Sequence, residues 1–274
     1  MNKNEVKVEG QEVIEDKKVN QVSPEDSNKL ATKTESAVST NVEPVMGFED
    51  EDDGDMIIPR VKIVQTLSPE RKSGEANEGD IINSLTKDRL NGKTFVPVFK
   101  YSSNILWKDR SEGGGMECWS KDGKTGNLSD GSCKLCKMCK KNEFDNTKTG
   151  KAAIPVCTKY INFFGFMTGE KMPIILSFSK TNYNEGKKLF SLAKVTMQNM
   201  WNYGYNLSEK LVAKGGNEWY IINPTTAGKV SDEDKAYGLR LYQSFRNADL
   251  HVAEETNESE VGGASDAELK NSEY

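Results

Sequence analysis

Histidine is almost absent from this chain of 274 residues, in which His251 is the only one. This scarcity excludes the hydrolytic sites that need a histidine base or several histidine ligands, such as a Ser-His-Asp triad. The phosphate-binding motifs G-x-x-x-x-G-K-[ST] and G-x-G-x-x-G are missing as well, and so is the H-x-E…P-C-x-x-C pattern of zinc deaminases. The sequence therefore predicts a protein that is not an enzyme.

Long apolar runs are also missing. No stretch approaches the roughly 20 apolar residues that a membrane-spanning helix requires, and the N-terminus lacks the apolar core of an export signal. Hydrophobic residues make up 35% of the chain and charged residues 29%, which indicates a modest core. These features predict a cytoplasmic protein without a membrane partner.

Charge is distributed unevenly along the chain. Residues 1–54 hold 14 acidic and 6 basic residues, and residues 248–274 hold 8 acidic and 1 basic, so we expect two acidic, disordered tails. Residues 55–247 hold 20 acidic and 30 basic residues. A basic domain between acidic tails suits the binding of a polyanion with which the tails compete. A lysine-rich surface that only keeps the domain soluble is the alternative.

All five cysteines lie within one stretch of 40 residues: Cys118, Cys133, Cys136, Cys139 and Cys157. A C-x2-C pair forms a tight turn that presents two thiolates to one ion, and flanking cysteines complete a tetrahedral zinc site. We favour the pair Cys133/Cys136, because Gly131 and Ser132 precede it as the entry to a turn. The pair Cys136/Cys139 offers a second register. All-cysteine zinc sites are closed, so the predicted role is structural.

Three other interpretations of the cysteines compete with zinc. An iron–sulfur run would continue to a further Cys-Pro, whereas Lys140, Lys141 and Asn142 follow here. Disulfides need an oxidising compartment. Free, buried thiols are the simplest alternative.

The pattern of apolar residues predicts a mainly β domain with some helix, an α+β fold. A strand is expected over Thr94–Trp107, with Phe95, Phe99 and Tyr101 on one side. Another strand starts at Cys157, with its hairpin partner in M-P-I-I-L-S-F-S. Helices are expected over 182–200 and 232–246, with two strands between them. This order fits an OB-type, partly open five-stranded barrel over 55–247, into which a four-cysteine zinc knuckle is inserted at 108–157.

Barrels of this type bind single-stranded nucleic acid by stacking bases on aromatic rings, while lysines follow the phosphates. The candidate rings are Trp107, Tyr160, Phe164, Phe166, Trp201 and Tyr203. The candidate basic residues are Lys100, Lys108, Lys159, Lys180, Lys187 and Lys188. For each ring, packing in the core is the alternative.

The chain contains the motifs P-R-V-K-I-V-Q-T-L-S-P-E, G-D-I-I-N-S-L-T and C-W-S-K-D-G-K-T-G…C-K-L-C…P-V-C. These motifs are similar to a phage family that shares C-x-S-x-D-G…C-x-x-C…C, and the chain resembles phage-encoded single-stranded DNA-binding proteins. The resemblance implies an OB barrel and a structural Zn²⁺ held by Cys118, Cys133, Cys136 and Cys157, with Cys139 extra. It also implies an acidic C-terminal tail that recruits a polymerase or helicase through Asp266, Glu268, Glu273 and Tyr274.

The leading hypothesis is therefore a single-stranded DNA-binding protein that acts in phage DNA replication, recombination or repair in the host cytoplasm. A zinc-ribbon adaptor that binds RNA polymerase and modulates transcription is the first alternative. A nuclease that uses carboxylates and magnesium is the second. A monomer and a dimer are both compatible with the sequence.

Overall fold

The computed structural model describes residues 57–108, 114–143, 155–248 and 250, and of Cys133 it describes the backbone only. The predicted N-terminal tail lies outside these residues, as does the predicted C-terminal tail apart from positions 248 and 250. The partner-binding residues predicted in the C-terminal tail also lie outside them.

The described residues form a mainly β fold with a few helices, which confirms the predicted α+β class. The helices are α1 (Pro69–Ser73), α2 (Tyr183–Val195) and α3 (Asp232–Phe245). The strands are β1 (Arg60–Ile63), β2 (Ile81–Asn83), β3 (Thr94–Trp107), β4 (Met116–Ser120), β5 (Thr125–Leu128), β6 (Cys133–Leu135), β7 (Thr158–Met167), β8 (Pro173–Ser179), β9 (Tyr203–Lys214) and β10 (Asn217–Lys229). No helix within the described ranges is long and apolar enough to cross a bilayer.

The strands pair in the order β2-β1-β8-β7-β3-β4-β5-β6, and a hairpin of β9 and β10 also joins β3. The long strand β3 organises the sheet, because β7 pairs with it from Phe95 to Ile105. Its first residues also pair with β9 and its last ones with β4. Pairing is antiparallel except between β1 and β8. The segment between β3 and β7 therefore projects from the end of an already paired sheet.

The larger apolar core, which we call the α2-side cluster, lies between the sheet and α2. Strands β1, β2, β3 and β7 to β10 contribute to it, with Phe163, Phe178 and Leu207 fully buried. Complete burial of such a side chain stabilises the fold by roughly 1.5–3 kcal/mol. Gly186 lets α2 approach β8 closely, because a Cβ there would lie 2.7 Å from the Cβ of Phe178.

The second core, the α3-side cluster, lies on the opposite side of the same sheet. Phe99 stacks on Phe164 with ring centroids 5.0 Å apart, and Phe245 of α3 lies 5.0 Å from Phe164. Helix α3 begins at its N-cap Ser231, whose hydroxyl accepts a hydrogen bond from the Asp234 N–H at 3.1 Å. The sheet is therefore covered by a different helix on each side.

The predicted strand bounds for β3 are confirmed, but its predicted sides need a correction. A bulge between Pro97 and Phe99 shifts the register with β7. Phe95 consequently joins the α2-side cluster, whereas Phe99 joins the α3-side cluster. Helix α2 ends earlier than predicted, and Met197 beyond it adopts a left-handed φ of 51° that interrupts helical geometry.

Candidate functional site

We call the segment inserted between β3 and β7 the cysteine arm (residues 108–157), and its described residues include a small meander. Strands β4, β5 and β6 pair in sequence, and two 3₁₀ turns follow, Cys136–Met138 and Lys140–Asn142. The Asn142 side-chain amide donates to the Cys136 carbonyl at 2.9 Å, and the Cys157 N–H donates to the Lys141 carbonyl at 2.9 Å. These bonds hold Cys157, the residue before β7, against the two 3₁₀ turns.

Four cysteines line a single small cavity in the arm: Cys118, Cys136, Cys139 and Cys157. Its volume is about 50 Å³, several times the roughly 10–15 Å³ that one water molecule needs. Gly126 forms part of the wall, and a Cβ at this position would lie 2.7 Å from Cys118 Sγ and 3.7 Å from Cys136 Sγ. The sulfurs of Cys118 and Cys136 therefore occupy the space that a side chain at position 126 would fill.

The four thiols also influence one another electrostatically. Burial, followed by the neighbouring sulfurs of Cys136, Cys118 and Cys139, raises the pKa of Cys157 to about 11. Burial, again followed by Cys136 and Cys139, raises the pKa of Cys118. Negative charge on clustered sulfurs is unfavourable without a cation, and a bound Zn²⁺ reverses that balance.

The donors in this cavity fit Zn²⁺ in type and number, because four sulfurs and no imidazole are the ligands of a closed structural site. None of the described cysteines forms a disulfide. Within the described ranges, no group of three or more His, Cys, Asp or Glu side chains is arranged as a finished ligand set.

Three of the four predicted metal ligands, Cys118, Cys136 and Cys157, meet in this cavity. Cys139, predicted to be extra, lies with them. The backbone of Cys133 pairs with Asn127 in the meander, and its side chain lies outside the described part of the structure.

Two predicted stacking rings are core residues, which corrects their assignment. Phe164 and Phe166 are both 0% exposed. Phe164 is covered by Phe245, and Phe166 lies edge-on against Tyr237, with ring centroids 4.9 Å apart. Helix α3 occupies the position above them, so neither ring can receive a base in this structure.

The other predicted rings are half-buried and lie in different places. Trp201 packs against Tyr242 at 5.2 Å and belongs to the α3 side, whereas Tyr203 packs on the α2-side cluster. Trp107 ends β3 and lies next to the arm. Tyr160 pairs with Ser103 of β3, beyond the edge of the α3-side cluster.

Three of the six predicted basic residues lie on or beside α2. Lys100 lies 5.3 Å from the Phe190 ring of α2, and Lys187 lies 5.0 Å from the Tyr183 ring of the same helix. Lys188 donates to Asn223 Oδ1 at 2.7 Å. All three therefore belong to the α2 side. The remaining three are placed along the chain between β3 and α2: Lys108 follows β3, Lys159 is exposed on β7, and Lys180 follows β8.

A row of hydrogen-bonded polar side chains, which we call the polar row, crosses the sheet on its α3 side. Arg60 donates to Ser177 Oγ at 2.9 Å, Ser177 donates to Asn162 Oδ1 at 2.8 Å, and Asn162 donates to Ser103 Oγ at 2.8 Å. Residues paired directly across strands share a face. The pairing of Tyr101 with Asn162, and of Asn162 with Ser177, places the row beside Phe99 and Phe164.

Two rings and a second arginine adjoin the polar row. Tyr101 and Tyr160 share its face and are half-buried. Burial raises the pKa of the Tyr101 hydroxyl, against the opposing effect of the neighbouring Arg60 guanidinium. Arg246, which is exposed, lies with its guanidinium 5.5 Å from the Phe99 ring. The arrangement combines two half-buried rings with the exposed Arg246, while Arg60 is buried beneath them.

Comparison with protein families identifies the group of proteins to which the chain is related. A model of the family described as Pam3 phage gp34-like protein matches residues 20–250. The chain belongs to this family. Searches of curated proteins and of solved structures gave no match.

Membership in the Pam3 phage gp34-like family supports the phage part of the predicted resemblance. The matched range includes both the cysteine arm and the polar row. In this gp34-like protein, sequence reasoning missed Arg60 and Arg246 as members of the candidate surface. The only signal for Arg60 was its place in the motif P-R-V-K-I-V-Q, and nothing local in the sequence brings Arg246 near Phe99.

Proposed function

We propose that this protein binds single-stranded DNA on the α3 side of an OB-type barrel and acts in phage DNA replication, recombination or repair. The order β3, β7, β8, α2, β9, β10, in which β9 returns to pair with β3, supports the barrel. The α2-side cluster would be its interior, because all five strands contribute to it. The Gln65 side chain supports closure, since it accepts from and donates to the Tyr220 backbone at 3.0 and 2.7 Å.

The observation that carries the proposal is the surface beside the polar row. OB folds bind oligonucleotides on the face of their second and third strands and through the adjoining loops. In this protein those strands correspond to β7 and β8, and the first adjoining loop corresponds to the cysteine arm. Tyr101 and Tyr160 offer rings for stacking, at about 1–3 kcal/mol per base. The exposed Arg246 offers charge for phosphates, whereas Arg60 is 8% exposed and holds the polar row in place.

The uneven charge of the chain supports the same proposal. With 20 acidic and 30 basic residues, positions 55–247 attract a polyanion. The acidic positions 248–274 follow Arg246 closely along the chain, and we propose that they compete with DNA for this surface. We propose that this tail also recruits a polymerase or helicase, and that the cysteine cluster holds a structural Zn²⁺ that fixes the arm beside the DNA.

A titration of the full chain with fluorescently labelled oligonucleotides tests the proposal. Anisotropy should rise with single-stranded DNA of any sequence and much less with a duplex, and the affinity should fall steeply as salt increases. Y160A combined with R246A should weaken binding by at least about tenfold, because each stacked base contributes about 1–3 kcal/mol. K187A combined with K188A, on the α2 side, is the matched control and should change the affinity little.

Three outcomes would contradict the proposal. Absence of binding at low salt, even after removal of residues 248–274, would exclude a DNA-binding role. Equal loss in the two double variants would show that charge and not the surface beside the polar row is responsible. Cleavage of the labelled strand when magnesium is added would indicate the nuclease instead.

The transcription adaptor remains a second candidate because the cysteine arm exposes apolar side chains. Leu135 is 48% exposed, Met138 71% and Val156 68%, and lysines surround them. Such a surface suits a protein partner. Tight capture of RNA polymerase that L135S combined with M138S abolishes, together with weak DNA binding, would favour the adaptor.

A further inference from the structure

We infer that the zinc ligands of this protein are Cys118, Cys136, Cys139 and Cys157, and that Cys133 is the cysteine left outside the site. The inference rests on the structural zinc of the proposed function and not on DNA binding. It replaces the register that the sequence favours, Cys133/Cys136, by Cys136/Cys139. Three independent features of the cysteine arm lead to it.

The first feature is the strand register of the meander. Cys118 pairs with Leu128, whereas the next residue, Trp119, pairs with Asn127, which in turn pairs with Cys133. Neighbouring register positions belong to opposite faces of a sheet. The position of Cys133 is therefore in line with Trp119, on the face opposite to that of Cys118.

The second feature is the wall formed by Gly126. Gly126 lies two residues before Leu128 and therefore shares the face of Cys118. The space above it is occupied by the sulfurs of Cys118 and Cys136, which lie 2.7 and 3.7 Å from the position of an added Cβ. Lys134 pairs with Gly126, and Cys136, which follows β6, brings its sulfur to this same space. The sulfurs of Cys118 and Cys136 therefore lie on one face of the meander, and the register position of Cys133 belongs to the other face.

The third feature is the turn that contains Cys136 and Cys139. The Cys139 N–H donates to the Cys136 carbonyl at 3.3 Å, and the Asn142 N–H donates to the Cys139 carbonyl at 2.9 Å. Together with the bond from the Asn142 side chain, these contacts form the compact C-x2-C turn that presents two thiolates to one ion. Cys133, by contrast, lies in a paired strand, whose extended backbone separates it from this turn.

Metal content and ligand spectroscopy of single variants of the full chain test the assignment. C133S is expected to retain one Zn²⁺ per chain by native mass spectrometry. Its Co²⁺ form should keep the absorption of a four-thiolate site. C139S is expected to lose affinity by about 100-fold or more, since even indirect supports of a metal site contribute 10–100-fold. C139H, which restores a ligand atom, should bind more tightly than C139S.

Alkylation of the unmodified full chain gives a readout that does not depend on whether a variant folds. Removal of zinc should increase the reactivity of Cys118, Cys136, Cys139 and Cys157 much more than that of Cys133, which has no bound ion to lose. A gain at Cys133 with none at Cys139, or zinc loss in C133S with retention in C139S, would overturn this assignment alone. Absence of zinc from the unmodified chain would overturn the zinc proposal as a whole.

Discussion

The cysteine arm and the body of the sheet differ in how much apolar surface they bury. The body has two apolar clusters, and rings such as Phe163 and Phe164 are completely buried. Among the side chains that the structure describes in the arm, Cys136 is the apolar one that is buried, whereas Leu135, Met138 and Val156 are exposed. Small units without a core usually depend on a metal or on disulfides. On this comparison, apolar burial stabilises the body, and the proposed Zn²⁺ would stabilise the arm.

Removal of the ion should give the largest difference between the two regions. A structural Zn²⁺ contributes apparent binding energies of about 10–16 kcal/mol in zinc-finger peptides. After treatment with a chelator, amide hydrogen exchange should accelerate in the arm, for example at Cys136 N–H, which donates to the Lys124 carbonyl at 2.7 Å. Amides in β7 should remain protected. Equal loss of protection in both regions would contradict the distinction.

Phe163→Ala should destabilise the body strongly. The ring is 0% exposed and lies edge-on to Phe178 at 6.0 Å, and such truncations cost about 3–5 kcal/mol. Chemical denaturation should show this loss with and without chelator, because the cluster lies outside the arm. Leu239→Ala, at a position that is 44% exposed, is the control and should change the free energy of unfolding by less than about 0.5 kcal/mol.

Gly126→Ala should have the opposite regional pattern. The added Cβ would lie 2.7 Å from Cys118 Sγ, and overpacking of this kind costs typically about 1–3 kcal/mol. Zinc affinity should fall and the arm should lose protection, while the unfolding of the body stays unchanged. Gly131→Ala is the control for backbone effects, because no atom lies within 4 Å of its added Cβ, although its φ of 82° also favours glycine. An equal loss of zinc affinity in both variants would show that steric contact with the sulfur is not the cause.

Ser231→Ala should give the smallest effect. Loss of the N-cap bond to the Asp234 N–H should cost about 1 kcal/mol. The loss should be seen in body unfolding and not in zinc content. Ser231→Asp, which can still cap the helix, should restore most of the stability in a thermal melt. A drop in zinc content would show that α3 and the arm are coupled more closely than we expect.

The sequence predicted the body better than the arm, for physical reasons. Period-two alternation predicted β3 and β7, and both strands are present in the structure. The same alternation could not show that a helix some 70 residues further along the chain would cover Phe164 and Phe166. A strand with one solvent-exposed face and a strand that is buried on both faces can have the same pattern of aromatic residues, so the pattern does not distinguish them.

The strands of the arm were not predicted, because they are short and carry few apolar residues. Strand β6 has three residues and β5 four, too few for a periodic pattern. Composition and spacing predicted that the cysteines would form one group. The choice between Cys133 and Cys139 depends on strand register, which spacing alone does not contain.

The way in which the arm is inserted also makes it separable from the body. Ile105 pairs directly with Thr158, so the two connections to the arm leave the sheet side by side. A short hairpin turn in place of residues 108–157 could join β3 to β7 without altering their register. The same junction could accept an inserted segment from another protein. The surface presented beside β3 and β7 would then change while the body of the sheet stayed the same.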